Sequence, residues 1–178
     1  MGQQGRIPAL ANRIRENHAD FVGIVETKKS EFSVGLLRSL TGNTKFDWCS
    51  LRARGTDGGI LVGANSDIFT VTVGDILDFS VSVMLTNKSS GFAFKLVVIY
   101  GSPYEDGKLV FLDELHKIMG SWQGPIILGA DFNLVRYSHE KSNGIINFKW
   151  ADSFNDWIGK WGLIELELKN RKYTWTNN

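Results

Sequence analysis

GPIILGADFNLVR, residues 124–136, sets an apolar run of strand length directly against an acid and an amide, Asp131 and Asn133, one residue apart. In a strand, residues i and i+2 point to the same side. If extended geometry persists past Gly129, Asp131 and Asn133 face one way while Phe132 turns back into the core. A carboxylate beside an amide at the mouth of a sheet can work as a pair. The acid accepts a proton from water or orients it, and the amide donates to a phosphate oxygen. The same D-x-N spacing also describes an Asx-type turn leaving a buried strand.

Two other apolar runs end in the same manner. DFVGIVE, residues 20–26, reads as a fully buried strand that closes on Glu26 and is followed by Thr27, Lys28 and Lys29. A carboxylate there is a hard oxygen ligand suited to Mg2+, which takes one or two carboxylates and leaves the rest of its shell to phosphate and water. It can equally be a surface glutamate paired with Lys28 or Lys29. KLVVIY, residues 95–100, ends on Tyr100, whose phenol can donate to a phosphate oxygen or serve as packing with a wet tip. Three strand ends carrying Glu, Tyr and Asp-x-Asn form a more specific signal than any one of them.

The segments between these ends set the fold class. Ile7, Leu10, Ala11 and Ile14 recur at i, i+3, i+4, i+7, one helix face, with Pro8 in the first turn. FSVGLLRSLTGN predicts a short helix stopped by Gly42. Residues 46–101 then give five strand-like runs separated by Gly, Asp, Asn and Ser. Within them Phe79, Val81 and Val83 alternate with Ser80 and Ser82, as a sheet with one wet face requires. A KSS turn ending at Gly91 makes the last two runs a hairpin. Helical spacing returns over 105–122 and over 148–161, where Trp150, Phe154, Trp157, Ile158 and Trp161 share a face. RKYTWTNN at the end alternates like a strand. This order predicts a layered α/β (α+β) domain with mostly antiparallel sheets rather than a doubly wound fold.

At 178 residues the chain has room for one domain with a real core. Its 43% hydrophobic and 22% charged residues argue against disorder. A formal net charge of +1 supplies no global attraction for polyanions, so any nucleic-acid contact must come from a local patch. A lone Cys49 excludes an internal disulfide and points to a reducing compartment. No run approaches the roughly 20 apolar residues needed to span a bilayer, and the N-terminus lacks a signal-peptide core. Arg6 stands where a myristoylation site wants Ser or Thr. The expectation is an intracellular protein of nucleus or cytoplasm with no membrane contact.

Together DFVGIVETKKSEFS, GGILVGAN, KLVVIYGSP, GPIILGADFNLVR, WADSFNDWIGKWGLIEL and RKYTWTNN resemble the endonuclease/exonuclease/phosphatase superfamily. Within it, the sequence looks most like the endonuclease domain of plant LINE-type (non-LTR) retrotransposons. The resemblance implies a four-layer α/β sandwich, with two mixed, mostly antiparallel sheets flanked by helices. It implies hydrolysis of DNA phosphodiesters with Mg2+, for which Mn2+ can substitute. By position, Glu26 resembles the metal-binding glutamate and Tyr100 the phosphate-contacting tyrosine. Asp131 resembles the acid that orients or deprotonates the attacking water, and Asn133 the amide that holds the scissile phosphate. Basic residues to test for backbone contact are Lys28, Lys29, Arg52, Arg54, Arg136, Lys141, Arg171 and Lys172. Trp175 sits where the family has an aromatic near the substrate groove, and is equally suited to the core.

Four departures from the family pattern shape the expectations. The family's first strand with its metal-supporting asparagine, and its C-terminal strands with an Asp-His pair, have no counterpart in residues 1–178. Pro103 replaces an asparagine found three residues after the tyrosine in many relatives, and Ala130 replaces a glycine. His18, His116 and His139 match no catalytic position. The expectation is a single incomplete domain over 1–178, of impaired activity and marginal stability, needing the absent segments or self-association to cover its strand edges. Two alternatives stay open: a phosphatase of the same superfamily, and a non-catalytic remnant that binds nucleic acid or protein.

Overall fold

Alternating residues of the central strands build the core. The computed structural model describes residues 6–53, 58–141 and 143–166, and the chain divides into two compact units with the break between Phe132 and Asn133. The first unit contains α1 (Arg6–Glu16), β1 (Phe21–Val25), α2 (Val34–Thr41), β2 (Phe46–Leu51) and β3 (Ile60–Asn65), then β4 (Phe69–Ile76), β5 (Ser80–Asn87), β6 (Ala93–Tyr100), α3 (Lys108–Gly120) and β7 (Ile126–Asp131). Among the described residues these strands form two sheets, in the orders β1-β3-β2 and β4-β5-β6-β7. All pairings are antiparallel except β6–β7, which is parallel and connected through α3.

The sheets face each other through residues of one parity. Ile60, Val62 and Ala64 of β3 meet Val81, Val83 and Leu85 of β5 and Phe94, Leu96 and Val98 of β6 in one buried cluster. Each fully buried side chain of this kind contributes roughly 1.5–3 kcal/mol. Phe21, Phe69 and Phe94 close one end of the cluster edge to face, with ring centroids 5.9–6.5 Å apart. The opposite parity meets helices. Ile14 of α1 and Leu40 of α2 pack on Leu61, flanked by Val22, Ile24 and Trp48. On the other sheet Ser80 meets Glu114 of α3, and Phe79, which precedes β5 and leaves the Val81/Val83 face expected for it, lies edge to face with Phe111 of α3 at 5.4 Å. Helices, sheet, sheet and helix thus form the four-layer sandwich expected from the sequence.

Two readings of the strands change. The Ser80/Ser82 face is dry: both serines are buried, at 1% and 2% exposure. α3 covers Ser80, whose hydroxyl donates to Glu114 Oε1 at 2.6 Å, while Ser82 Oγ accepts the Asp75 N–H at 2.8 Å where a register shift interrupts β4. Glu114 also accepts the N–H groups of Asp78 and Phe79. Burial pushes its carboxyl above the usual carboxylate range despite these donors. Secondly, β1 and β7 are edge strands among the described residues; β1 is half-buried and β7 mostly exposed, with Ile127 37% exposed.

In the second unit, α4 (Phe148–Trp161) buries Trp150, Ala151, Phe154 and Trp157, and Gly162 caps it in a left-handed conformation. Phe154 and Trp157 stack at 5.8 Å. The strand expected at RKYTWTNN lies outside the described residues. No helix among the described residues is long and apolar enough to cross a membrane.

Candidate active site

Glu26 is the first residue beyond β1, whose last pair is Val25 with Ile60. The ladder continues past the strand as Thr27 N–H to Gly59 C=O at 3.1 Å and Lys28 N–H to Gly58 C=O at 3.0 Å. It does so in an unusual conformation. Among the described residues, four non-glycines have positive φ: His18, Glu26 (52°), Lys28 (53°) and Asn133 (49°). Three of these four are residues singled out for function from sequence. Left-handed backbone is disfavoured for residues with a Cβ and concentrates where a site dictates geometry.

Tyr100 is the last residue of β6, in the opposite sheet. Its ring packs against the inter-sheet cluster, and its hydroxyl donates to Glu26 Oε1 at 2.8 Å. The contact joins the two sheets at one rim. Asp131 ends β7 and is the register partner of Tyr100 in the parallel β6–β7 pair. Gly101 N–H donates to the Asp131 carbonyl at 2.8 Å. A Cβ at Gly101 would collide with the Phe132 carbonyl oxygen and approach the Phe111 ring to 2.8 Å, so the close approach of these strand ends requires a glycine. Glu26 and Asp131 are both exposed, while Tyr100 is half-buried.

The structure therefore brings Glu26 and Tyr100 into contact and sets Asp131 beside Tyr100 on the neighbouring strand. The D-x-N alternation does not continue as drawn from the sequence: the strand ends at Asp131, and Asn133 turns left-handed. Asn133 opens the second unit.

The basic residues separate into two kinds. Lys28 and Arg52 are exposed in the first unit, and Lys29 is half-buried. Arg136 is engaged within the second unit. Its Nε donates to Asn155 Oδ1 at 2.8 Å, its terminal nitrogen to the Tyr137 hydroxyl at 3.2 Å, and its backbone N–H to Glu140 Oε2 at 2.9 Å. Glu165 lies 3.7 Å from the guanidinium. Arg136 thus ties the 136–140 segment to α4. Arg54, Arg171, Lys172 and Trp175 lie outside the described residues. The three histidines fall after α1, within α3 and in the 3-10 turn Ser138–Glu140.

The donor set fits a hard, sparsely ligated cation. Among the described residues no three His, Cys, Asp or Glu side chains gather into a metal cage. Glu26 is an exposed carboxylate with a fixed hydroxyl donor on one oxygen, the kind of single-carboxylate foothold Mg2+ accepts. Two cavities, of about 300 and 330 Å3, open elsewhere on the first unit. One is lined by Asp47, Cys49 and Val73, the other by Ser30, Phe32 and Arg52.

Sequence reasoning missed the surroundings of Glu26, namely the buried Thr27 and the bare Gly59 against it. The Gly-Gly dipeptide before the third strand was the available signal, because paired glycines mark a backbone that must turn left-handed or admit a close neighbour.

The chain belongs to the endonuclease/exonuclease/phosphatase family, whose sequence pattern matches residues 3–178. Solved structures share its fold. The endonuclease domain of TRAS1, a telomere-specific non-LTR retrotransposon, aligns with a TM-score of 0.65 and 14% identity, covering 89% of this chain and 66% of that one. ANGEL2, a 2',3'-cyclic phosphatase, aligns with a TM-score of 0.57 and 17% identity, covering 73% and 44%. The human Nocturnin catalytic domain aligns at 0.55 and 15%, covering 75% and 58%. The chain thus spans less than two thirds of the length of each. A search of curated proteins finds no match.

Proposed function

We propose that the chain carries active-site residues of a Mg2+-dependent DNA endonuclease of the LINE-type retrotransposon kind, which hydrolyses phosphodiester bonds. The observation that supports this most is the 2.8 Å bond from Tyr100 to Glu26, with Asp131 in register beside Tyr100. In this reading Glu26 holds the divalent cation. When bound, the cation stabilises negative charge gathering on the phosphate oxygens. Asp131 orients a water and takes its proton as the water oxygen attacks phosphorus and the P–O ester bond breaks. Tyr100, fixed by its sheet, keeps the Glu26 carboxylate in place by donating its one O–H to it; the phosphate contact that the resemblance assigns to Tyr100 requires that O–H to turn from Glu26 to the phosphate when substrate binds. The resemblance gives Asn133 the amide that holds that phosphate, and its left-handed backbone supports a special role. Lys28 and Arg171 are proposed to supply local positive charge to the phosphate backbone, and Trp175 is assigned to the substrate groove by resemblance alone. As edge strands among the described residues, β1 and β7 are the places where further strands or a second copy would pair.

The test is nicking of supercoiled plasmid in Mg2+, in Mn2+ and in EDTA, beside Glu26→Ala. Metal-dependent nicking lost in the variant supports the reading. Nicking that is equal in EDTA overturns it, and folded protein that nicks nothing selects the non-catalytic alternative. The likeness to ANGEL2 favours a second reading, a phosphatase of the same family. Release of phosphate from a small phosphoester without plasmid nicking would select it.

A further inference from the structure

We propose that bare Gly59 is a positioning residue: by leaving room for residue 27 to turn inward it locks Glu26 in its left-handed conformation, and so aims the Glu26 carboxylate at Tyr100 and at a divalent cation. The inference rests on the reading of Glu26 as the cation's ligand. A left-handed glutamate and a left-handed lysine two residues apart persist only where the surroundings over-determine them. Here the determinants are visible. Thr27, between them, is 1% exposed and points inward. Its N–H and that of Lys28 bond to the carbonyls of Gly59 and Gly58, and the Lys29 carbonyl accepts the Ala53 N–H at 3.0 Å. Gly59, with φ 85°, lies directly against the threonine. A Cβ there would collide with Thr27 Oγ1 and come within 3.2 Å of the Ala53 Cβ. Thr27 can seat itself because Gly59 is bare, and with Thr27 inward its neighbours Glu26 and Lys28 are turned out to solvent.

Gly58 supplies the control. Its φ is 72°, equally left-handed, yet a Cβ there meets only the Tyr100 ring at 3.9–4.0 Å, an ordinary contact. The two glycines share backbone conformation and differ in the collision, so alanine at each separates strain from positioning.

The experiment is a titration with Mn2+, followed by the paramagnetic resonance of the free ion and paired with a thermal melt. It uses wild type, Gly58→Ala, Gly59→Ala and the double variant Thr27→Ala/Gly59→Ala. Gly59→Ala should weaken Mn2+ binding by about tenfold or more, the scale seen when a ligand loses its support. Gly58→Ala should stay within about twofold of wild type, and the double variant should recover most of the affinity, since the colliding hydroxyl is gone. Equal losses of melting temperature in both glycine variants, with Mn2+ affinity unchanged in Gly59→Ala, would overturn the lock. Should Gly59→Ala not fold, the double variant decides. Near wild-type affinity supports the lock, and a folded double variant that binds no better than Glu26→Ala removes it. Wild type that fails to bind Mn2+ at millimolar concentration overturns the cation reading of Glu26, and the lock with it. Wild type that binds, with Gly59→Ala unchanged, removes the lock alone.

Discussion

The Tyr100 hydroxyl donates to Glu26 Oε1 at 2.8 Å, tying the end of an inner strand of one sheet to the residue just beyond an edge strand of the other. Tyr100→Phe removes this tie and leaves the ring in its packing. The expected result is a plasmid-nicking rate down by about 10²-fold, in line with the loss of one fixed donor, and a nearly unchanged melting temperature. Initial rates at saturating Mg2+, with a thermal melt of the same preparation, check it.

Asp131→Asn keeps the shape of the strand end and removes the carboxylate proposed as the proton acceptor. Nicking should fall by about 10²–10⁴-fold, while DNA binding, measured by fluorescence anisotropy, stays close to wild type. Equal loss of binding would assign Asp131 to substrate grip rather than proton transfer.

Gly101→Ala drives a methyl into the Phe132 carbonyl and the Phe111 ring. Forced overpacking of this kind costs about 1–3 kcal/mol, and it displaces the strand ends that carry Tyr100 and Asp131. Urea denaturation should show the loss, with activity falling further than the unfolded fraction accounts for.

Glu114 makes stability depend on pH. Burial raises its folded-state pKa above the ordinary 4.5, so the native state holds this proton more tightly than the unfolded chain does. Its contribution is complete below 4.5 and is lost as pH rises through the raised value. Relative to Glu114→Gln, wild type should lose stability as pH climbs from about 4.5 toward neutrality. Glu114→Ala should cost about 1–3 kcal/mol, since the N–H groups of Asp78 and Phe79 and the Ser80 hydroxyl lose their acceptor. Thermal melts of the three proteins over that pH range decide both points.

Lys28 and Arg136 should behave differently toward DNA. Lys28→Gln should weaken binding modestly and reduce the salt slope by about one unit. Arg136→Gln should leave that slope unchanged and loosen the 136–140 segment, because its guanidinium is bonded to Asn155 and Tyr137. Binding isotherms at several salt concentrations, with amide exchange at residues 136–140, separate the two.

The sequence made the elements and the layering legible because side-chain period is local. Ile7, Leu10, Ala11 and Ile14 could only share a helix face, and Val81, Val83 and Leu85 only a strand face. What period cannot say is which face is covered. Ser80 and Ser82 read as wet because serine is usually exposed, yet a helix bearing Glu114 supplies the partner that makes burial affordable. The residue types at the site were equally legible, as polar groups closing apolar runs. Their geometry was not. The turns at Glu26, Lys28 and Asn133 oppose backbone preference, and a local reading defaults to the preferred conformation. The bond from Arg136 to Asn155, 19 residues away, was likewise beyond a local reading. RKYTWTNN, with Arg171 and Trp175, remains an expectation from sequence.

The Tyr100–Glu26 bond joins residues 74 positions apart, and Asp131 reaches Tyr100 only after the parallel crossover through α3 is closed. No short segment of the chain contains the site, even in outline. Contacts of such long sequence separation close slowly, after local helices and hairpins have formed. Helix content during refolding should therefore return before divalent-cation binding does, and the cation becomes a reporter for the last step of chain collapse, when the two sheets first share a rim.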